Sequence, residues 1–133
     1  RRYVDTGFEF FSPDVWRGRP AGSLKQGSTG VLSETENTAW TMVLESHHRQ
    51  CEEVYNGMIE AGIAPEQARM VLPQSLMTSW TWSGTLGAFA NMCKLRLGKD
   101  TQQETRYVAE QVYEGLKKQF PISAPLLVEG VAV

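Results

Sequence analysis

Hydrophobic positions recur at three- and four-residue steps through most of the chain, and this period places helices along it. Ser33 with Glu36 makes a capping box. From there Trp40, Val43, Leu44, His47, Cys51, Val54, Tyr55 and Met58 form one stripe, which predicts a long amphipathic helix stopping at Gly62. Pro65 suits the first turn of a short second helix over residues 65–71, with Arg69 in its last turn and Pro73 as its stop. A third helix is predicted over about 83–97, with Leu86, Phe89, Ala90, Cys93 and Leu97 on one face and Thr85, Met92 and Arg96 on another. Asp100 is placed to cap a fourth, with Gln103 completing a capping box, and Val108, Val112, Leu116 and Phe120 mark its stripe before Pro121.

The ends of the chain carry a different pattern. "YVDTGFEFFSPDVW" is aromatic and β-prone and reads as a short extended or β segment, while "RGRPAGSLKQGSTG" reads as a long loop. The tail "ISAPLLVEGVAV" reads as extended. Together these give an α+β class, mainly helical with a short extended N-terminal piece, and no internal repeat.

Composition narrows the functional classes. With 133 residues, 41% of them hydrophobic, and a formal net charge of −2, the chain has the make-up of one ordinary domain and lacks the basic excess that drives binding to nucleic acid or an anionic membrane. No apolar run reaches the ~18 residues that span a bilayer, and the opening "RRYVDTGFEF" has no signal-peptide core, so a cytoplasmic protein is expected. Cys51 and Cys93 fall on different predicted helices without C-x-x-C spacing and are expected to be buried free thiols.

Candidate chemistry is sparse. "GSLKQGSTG" lacks the spacing of a phosphate-binding loop. His47 and His48 point about 100° apart on a helix, which does not suit joint ligation of one metal, and His47 on the apolar stripe reads as a core or interface residue. Arg69 and Arg96 stand out, because a guanidinium in an apolar setting needs a partner. Either the two converge on one anionic ligand, or they pair internally with Glu66, Glu104 and Asp100. Spacing alone leaves both open.

The segments "ARMVLPQSLMTSWTW", "FANMCKLRL", "TQQETRYVAEQV" and "FP", covering about 36–121, resemble in order and separation the A-R-x-x-L-P, N-L-R and A-Q-x-E-I-R segments of the flavin-dependent thymidylate synthases (ThyX). Arg2 and Tyr3 match the closing R-Y of that family's signature, whose remainder is absent, so residues 1–133 are expected to be a C-terminal portion of one ThyX-type catalytic domain. The resemblance implies reductive methylation of dUMP to dTMP with bound FAD, NADPH as reductant and methylenetetrahydrofolate as carbon donor, in a homotetramer. It implies that Arg2, Arg69 and Arg96 bind dUMP, and that Arg96 is catalytic beside the uracil and flavin rings.

Thr85, Asn91, Leu95, Arg96 and Asp100 fall at flavin-contacting positions by the same likeness. Thr85 and Gly87 stand where many members have Asn and Arg, and Asp100 where many have His. Gln102 and Glu104 match the A-Q-x-E segment, with Glu104 expected to orient a neighbouring arginine. The competing expectation is a non-enzymatic helical oligomerisation module, in which the arginines pair internally.

Overall fold

A computed structural model describes residues 7–22 and 27–130. The elements in chain order are β1 (Arg17–Gly18), β2 (Thr29–Val31), α1 (Glu34–Glu60), α2 (Pro65–Ala68) with a 3₁₀ turn over Arg69–Val71, α3 (Leu86–Arg96), α4 (Gln103–Gln119) and α5 (Ser123–Val128). Contacts group the described residues into two units, one of 7–16 and Val31–Trp80, the other of 17–22, 27–30 and 81–130.

The first unit is built on α1. The Ser33 hydroxyl accepts from the Glu36 amide while the Glu36 carboxylate accepts from the Ser33 amide, so the predicted capping box forms. The helix ends where Gly62 takes a φ of +81°, a backbone state that side chains disfavour. An extended segment runs beside 75–77: Phe11 N–H donates to Ser75 O at 2.8 Å, Met77 N–H donates to Glu9 O at 2.8 Å, and Phe10 bridges Leu76. Phe8 packs edge-on against Tyr55 and Phe10 stacks on His48 with ring centroids 4.5 Å apart.

The phase of the α1 stripe differs from expectation. His48, Cys51 and Tyr55 are its buried residues, whereas Trp40, Val43 and Val54 are more than half exposed and His47 is exposed. At about 100° per residue the buried line is rotated roughly 50° from the centre of the apolar stripe. The aromatic segment and the α2 turn pack on one edge of that stripe, and the buried histidine is therefore His48.

The second unit packs α3, α4 and α5 around Ala90, Cys93, Tyr113, Ala124 and Val128, with Met92, Leu97, Val112 and Leu116 against them. The Cys93 thiol points at the Ala109 carbonyl at 3.7 Å. Ala90, Ala109 and Ala124 are fully covered, and small residues at a helix contact let the axes approach. On α4 the buried line is Ala109 and Tyr113, while Val108 and Phe120, expected inside, are 55% and 45% exposed.

Three further expectations are corrected here. The tail is helical: α5 carries Pro125 in its first turn, where no amide bond is required, and buries Ala124 and Val128 at i, i+4 spacing. Asp100 does not cap α4, whose N-cap is Gln102 without a side-chain bond, because the 97–101 turn is held by other groups. The two-stranded sheet, β1 with β2, lies almost wholly in the stretch read as loop, while the segment read as extended does run extended, paired with 75–77 through the Phe10 bridge and the two backbone bonds beside it.

Candidate functional site

Arg69 belongs to the first unit. Pro65 starts α2, fully buried Ala68 pins it, and the chain tightens into the 3₁₀ turn that carries half-buried Arg69. Arg69 Nε lies 3.5 Å from the Glu66 carbonyl oxygen, so Glu66 meets it through its backbone. Arg2 lies outside the described residues.

Arg96 belongs to the second unit, as the last residue of α3. It is exposed, and among the described residues it makes no ion pair or hydrogen bond. Asn91 and Leu95, the latter 71% exposed, lie on the same uncovered side of α3, opposite the line of Ala90 and Cys93. Thr85 is the N-cap: its hydroxyl oxygen accepts from the Ala88 amide at 3.2 Å, and its own proton remains available to a ligand. Gly87 faces open space. Asp100 is exposed in the turn after α3 and makes no ion pair among the described residues.

The internal partners considered for Arg96 are engaged elsewhere or not engaged with it. Glu104 pairs with Arg17, whose Nε also donates to Ser28 Oγ at 2.7 Å. Burial pushes the Glu104 carboxyl up, but the Arg17 hydrogen bond and charge, with its backbone bond, bring it below the usual carboxylate range. Glu104 thus steers an arginine, as expected, but the arginine is Arg17.

The turn after α3 is organised by groups that sequence reasoning did not assign. Arg106 Nη2 donates to the carbonyl oxygens of Gly98 at 2.9 Å, Lys99 at 2.8 Å and Thr101 at 3.4 Å. The Thr101 hydroxyl donates to Leu95 O at 3.4 Å. The signal for Arg106 was its place two residues after Glu104 in the A-Q-x-E-x-R segment; Arg17 had no comparable signal.

The exposed surface of α3 offers an amide and an aliphatic side chain along one line, at Asn91 and Leu95, the uncommitted Arg96 guanidinium on another, and the Thr85 hydroxyl at the helix start. That donor set fits a flat, partly apolar, anionic group such as a flavin nucleotide. Both cysteines are free and buried, burial pushes the Cys93 thiol up, and no group of metal-binding side chains occurs among the described residues.

Residues 1–122 match the family model for thymidylate synthase complementing protein. The chain is 34% identical over 122 residues to a flavin-dependent thymidylate synthase of Thermus thermophilus, covering 92% of this chain and 44% of that one. It is 35% identical over 103 residues to a probable flavin-dependent thymidylate synthase of Paramecium bursaria Chlorella virus 1, covering 77% and 48%. A flavin-dependent thymidylate synthase of Kosmotoga olearia is 28% identical, covering 92% and 53%. The chain spans about half the length of these relatives. An extended match of this kind, through the segments that build the 65–71 turn, the free side of α3 and the start of α4, places the chain in the thymidylate synthase complementing protein family.

Proposed function

We propose that the chain is the C-terminal portion of a flavin-dependent thymidylate synthase, acting in the reductive methylation of dUMP to dTMP. Bound FAD supplies the hydride chemistry, with NADPH as reductant and methylenetetrahydrofolate as carbon donor. Thr85, Asn91, Leu95, Arg96 and Asp100 hold the flavin, and Arg2, Arg69 and Arg96 hold dUMP. As the pyrimidine accepts hydride, negative charge builds on its ring, and the fixed charge of Arg96 stabilises it without reorganisation. The observation that carries this reading is the exposed Arg96 guanidinium at the end of α3, free of any carboxylate among the described residues, on a helix that also leaves Asn91 and Leu95 exposed.

The protein works as a homotetramer in the cytoplasm; the exposed Trp40, Val43 and Val54 of α1 support assembly, and two free thiols suit a reducing compartment. Among the described residues no helix is long and apolar enough to cross a membrane. A non-enzymatic helical module requires both Arg69 and Arg96 to be held internally; Arg69 has internal contacts, whereas Arg96 makes no ion pair among the described residues and Glu104 pairs with Arg17.

Thermal unfolding with dUMP tests the proposal. Ligand at 100-fold its dissociation constant stabilises by about 2.7 kcal/mol, and Arg96→Ala should remove most of that gain. A melting temperature unmoved by both dUMP and FAD would remove the basis for the assignment.

A further inference from the structure

The carbonyls at the C-terminal end of a helix carry negative partial charge and draw any cation in its last turn. Lys94 and Arg96 are the last-turn cations of α3. Arg96 nonetheless makes no hydrogen bond to those carbonyls. The ones just past the helix, on Gly98, Lys99 and Thr101, are taken by a single nitrogen of Arg106 from α4.

Arg106 does not sit there for the benefit of its own helix. It lies in the first turn of α4, where the helix dipole disfavours a cation, and its Nε is shielded from water without a partner. Both features are local costs, and what offsets them is the closed turn after α3. The Thr101 hydroxyl on Leu95 O fastens the same turn from inside.

We infer that Arg106 is a positioning residue: by occupying the carbonyls that follow α3 it keeps the Arg96 guanidinium from folding back on them and leaves it aimed at the anionic ligand. This rests on the reading of Arg96 as a dUMP-binding residue. Arg106 acts only through the turn, its Nη2 committed to backbone carbonyls.

The test is dUMP affinity by calorimetry on the purified, flavin-loaded protein, well below its melting temperature. Arg106→Gln should weaken dUMP about tenfold, and Arg106→Lys, which keeps a charged donor, should stay within about threefold of the parent. The double variant Arg96→Ala, Arg106→Gln should bind no more weakly than Arg96→Ala alone, because a residue acting through Arg96 has nothing left to act on. A purely structural role would instead lower affinity by the same factor in both backgrounds, and that result overturns the inference, as does unchanged affinity in Arg106→Gln. If Arg106→Gln does not fold, Thr101→Val perturbs the same turn and should weaken dUMP only while Arg96 is present; equal weakening in the Arg96→Ala background counts against the idea. Should Arg96→Ala bind dUMP like the parent, the assignment of Arg96 to the nucleotide is lost, an outcome separate from failure at Arg106.

Discussion

His48 gives the first unit a built-in acid sensitivity. The ring is 7% exposed, stacks on Phe10 at 4.5 Å with planes 14° apart, and places Nε2 2.7 Å from Ser75 Oγ. It therefore joins α1 to both extended segments, 9–11 and 75–77. Burial pushes its pKa below the ordinary 6.5, the charge of neighbouring His47 pushes the same way, and Glu45 opposes them. Phe10 and Ser75, which face it from the other segments, carry no charge.

The folded state thus favours the neutral ring, and the unfolded chain takes up the proton first. Stability is complete above about pH 6.5, falls as the pH drops from there through the depressed folded value, and levels off below it. His48→Ala removes a stacked pair (about 0.5–1.5 kcal/mol), a hydrogen bond (about 1 kcal/mol) and buried ring volume, for a loss of about 3 kcal/mol. His48→Phe keeps the stack and loses the hydrogen bond, with half-buried Ser75 left to find water, for about 1 kcal/mol. Urea unfolding of the three proteins at pH 7.5 and 5.5 measures this. The parent should lose more stability on acidification than His48→Phe. Equal losses in the two, or a His48→Ala cost below about 0.5 kcal/mol, would refute the reasoning.

Glu104→Gln should cost about 1 kcal/mol at neutral pH, since the Arg17 pair is half-buried, and should remove a stability loss that the parent shows as pH falls from 4.5 through the lowered folded value. Tyr113, buried and donating to Glu129, has its pKa pushed up to about 12 by that bond first and by burial next. The parent should therefore lose stability as pH rises from 10 to about 12, Tyr113→Phe should lack that slope, and absorbance titration at alkaline pH should find one late tyrosine. At Gly18 a Cβ would stand 2.7 Å from the Thr29 carbonyl oxygen, so Gly18→Ala must part β1 from β2 and should lower stability by about 1–3 kcal/mol in thermal melts.

What the sequence made legible follows from locality. The capping box at Ser33, Gly62 past the helix end and Pro65 at a helix start act through neighbours in the chain, and α1 and the 65–71 turn appear where those residues place them. Burial phase does not act locally. The periodic pattern weights large side chains such as Trp40 and Val43, whereas the covered positions include Ala68, Ala109 and Ala124, chosen by which neighbour lies close; on α3 the pattern and the burial agree at Ala90 and Cys93. The tail read as extended, although Pro125 sits in the first turn of α5, where proline is tolerated, and strands of two and three residues are too short to carry a period. Arg96 stood out by type and setting, and its lack of an internal partner among the described residues needed coordinates. The roles of Arg17 and Arg106 exist only through contacts with Glu104 and with the turn after α3.

The width of the α1 stripe bears on why the chain has the helices it has. From Val43 to His48 the apolar and half-apolar positions span roughly 140° of the helix surface, wider than the ~100° that a single packed face needs. The first unit covers the edge at His48, Cys51 and Tyr55, and leaves Trp40, Val43 and Val54 more than half exposed. A helix with one partner gains nothing from that excess, because each such side chain left in water forgoes about 1.5–3 kcal/mol of burial. A helix with two partners, one from its own chain and one from a neighbouring subunit, uses both edges, as the proposed homotetramer requires. α3 repeats the division at smaller scale: Ala90 and Cys93 face the core, while Leu95 stands 71% exposed and Asn91 and Arg96 are exposed too. Stability selects one side of each helix, and the residues on the other side are those that a subunit or a ligand would cover.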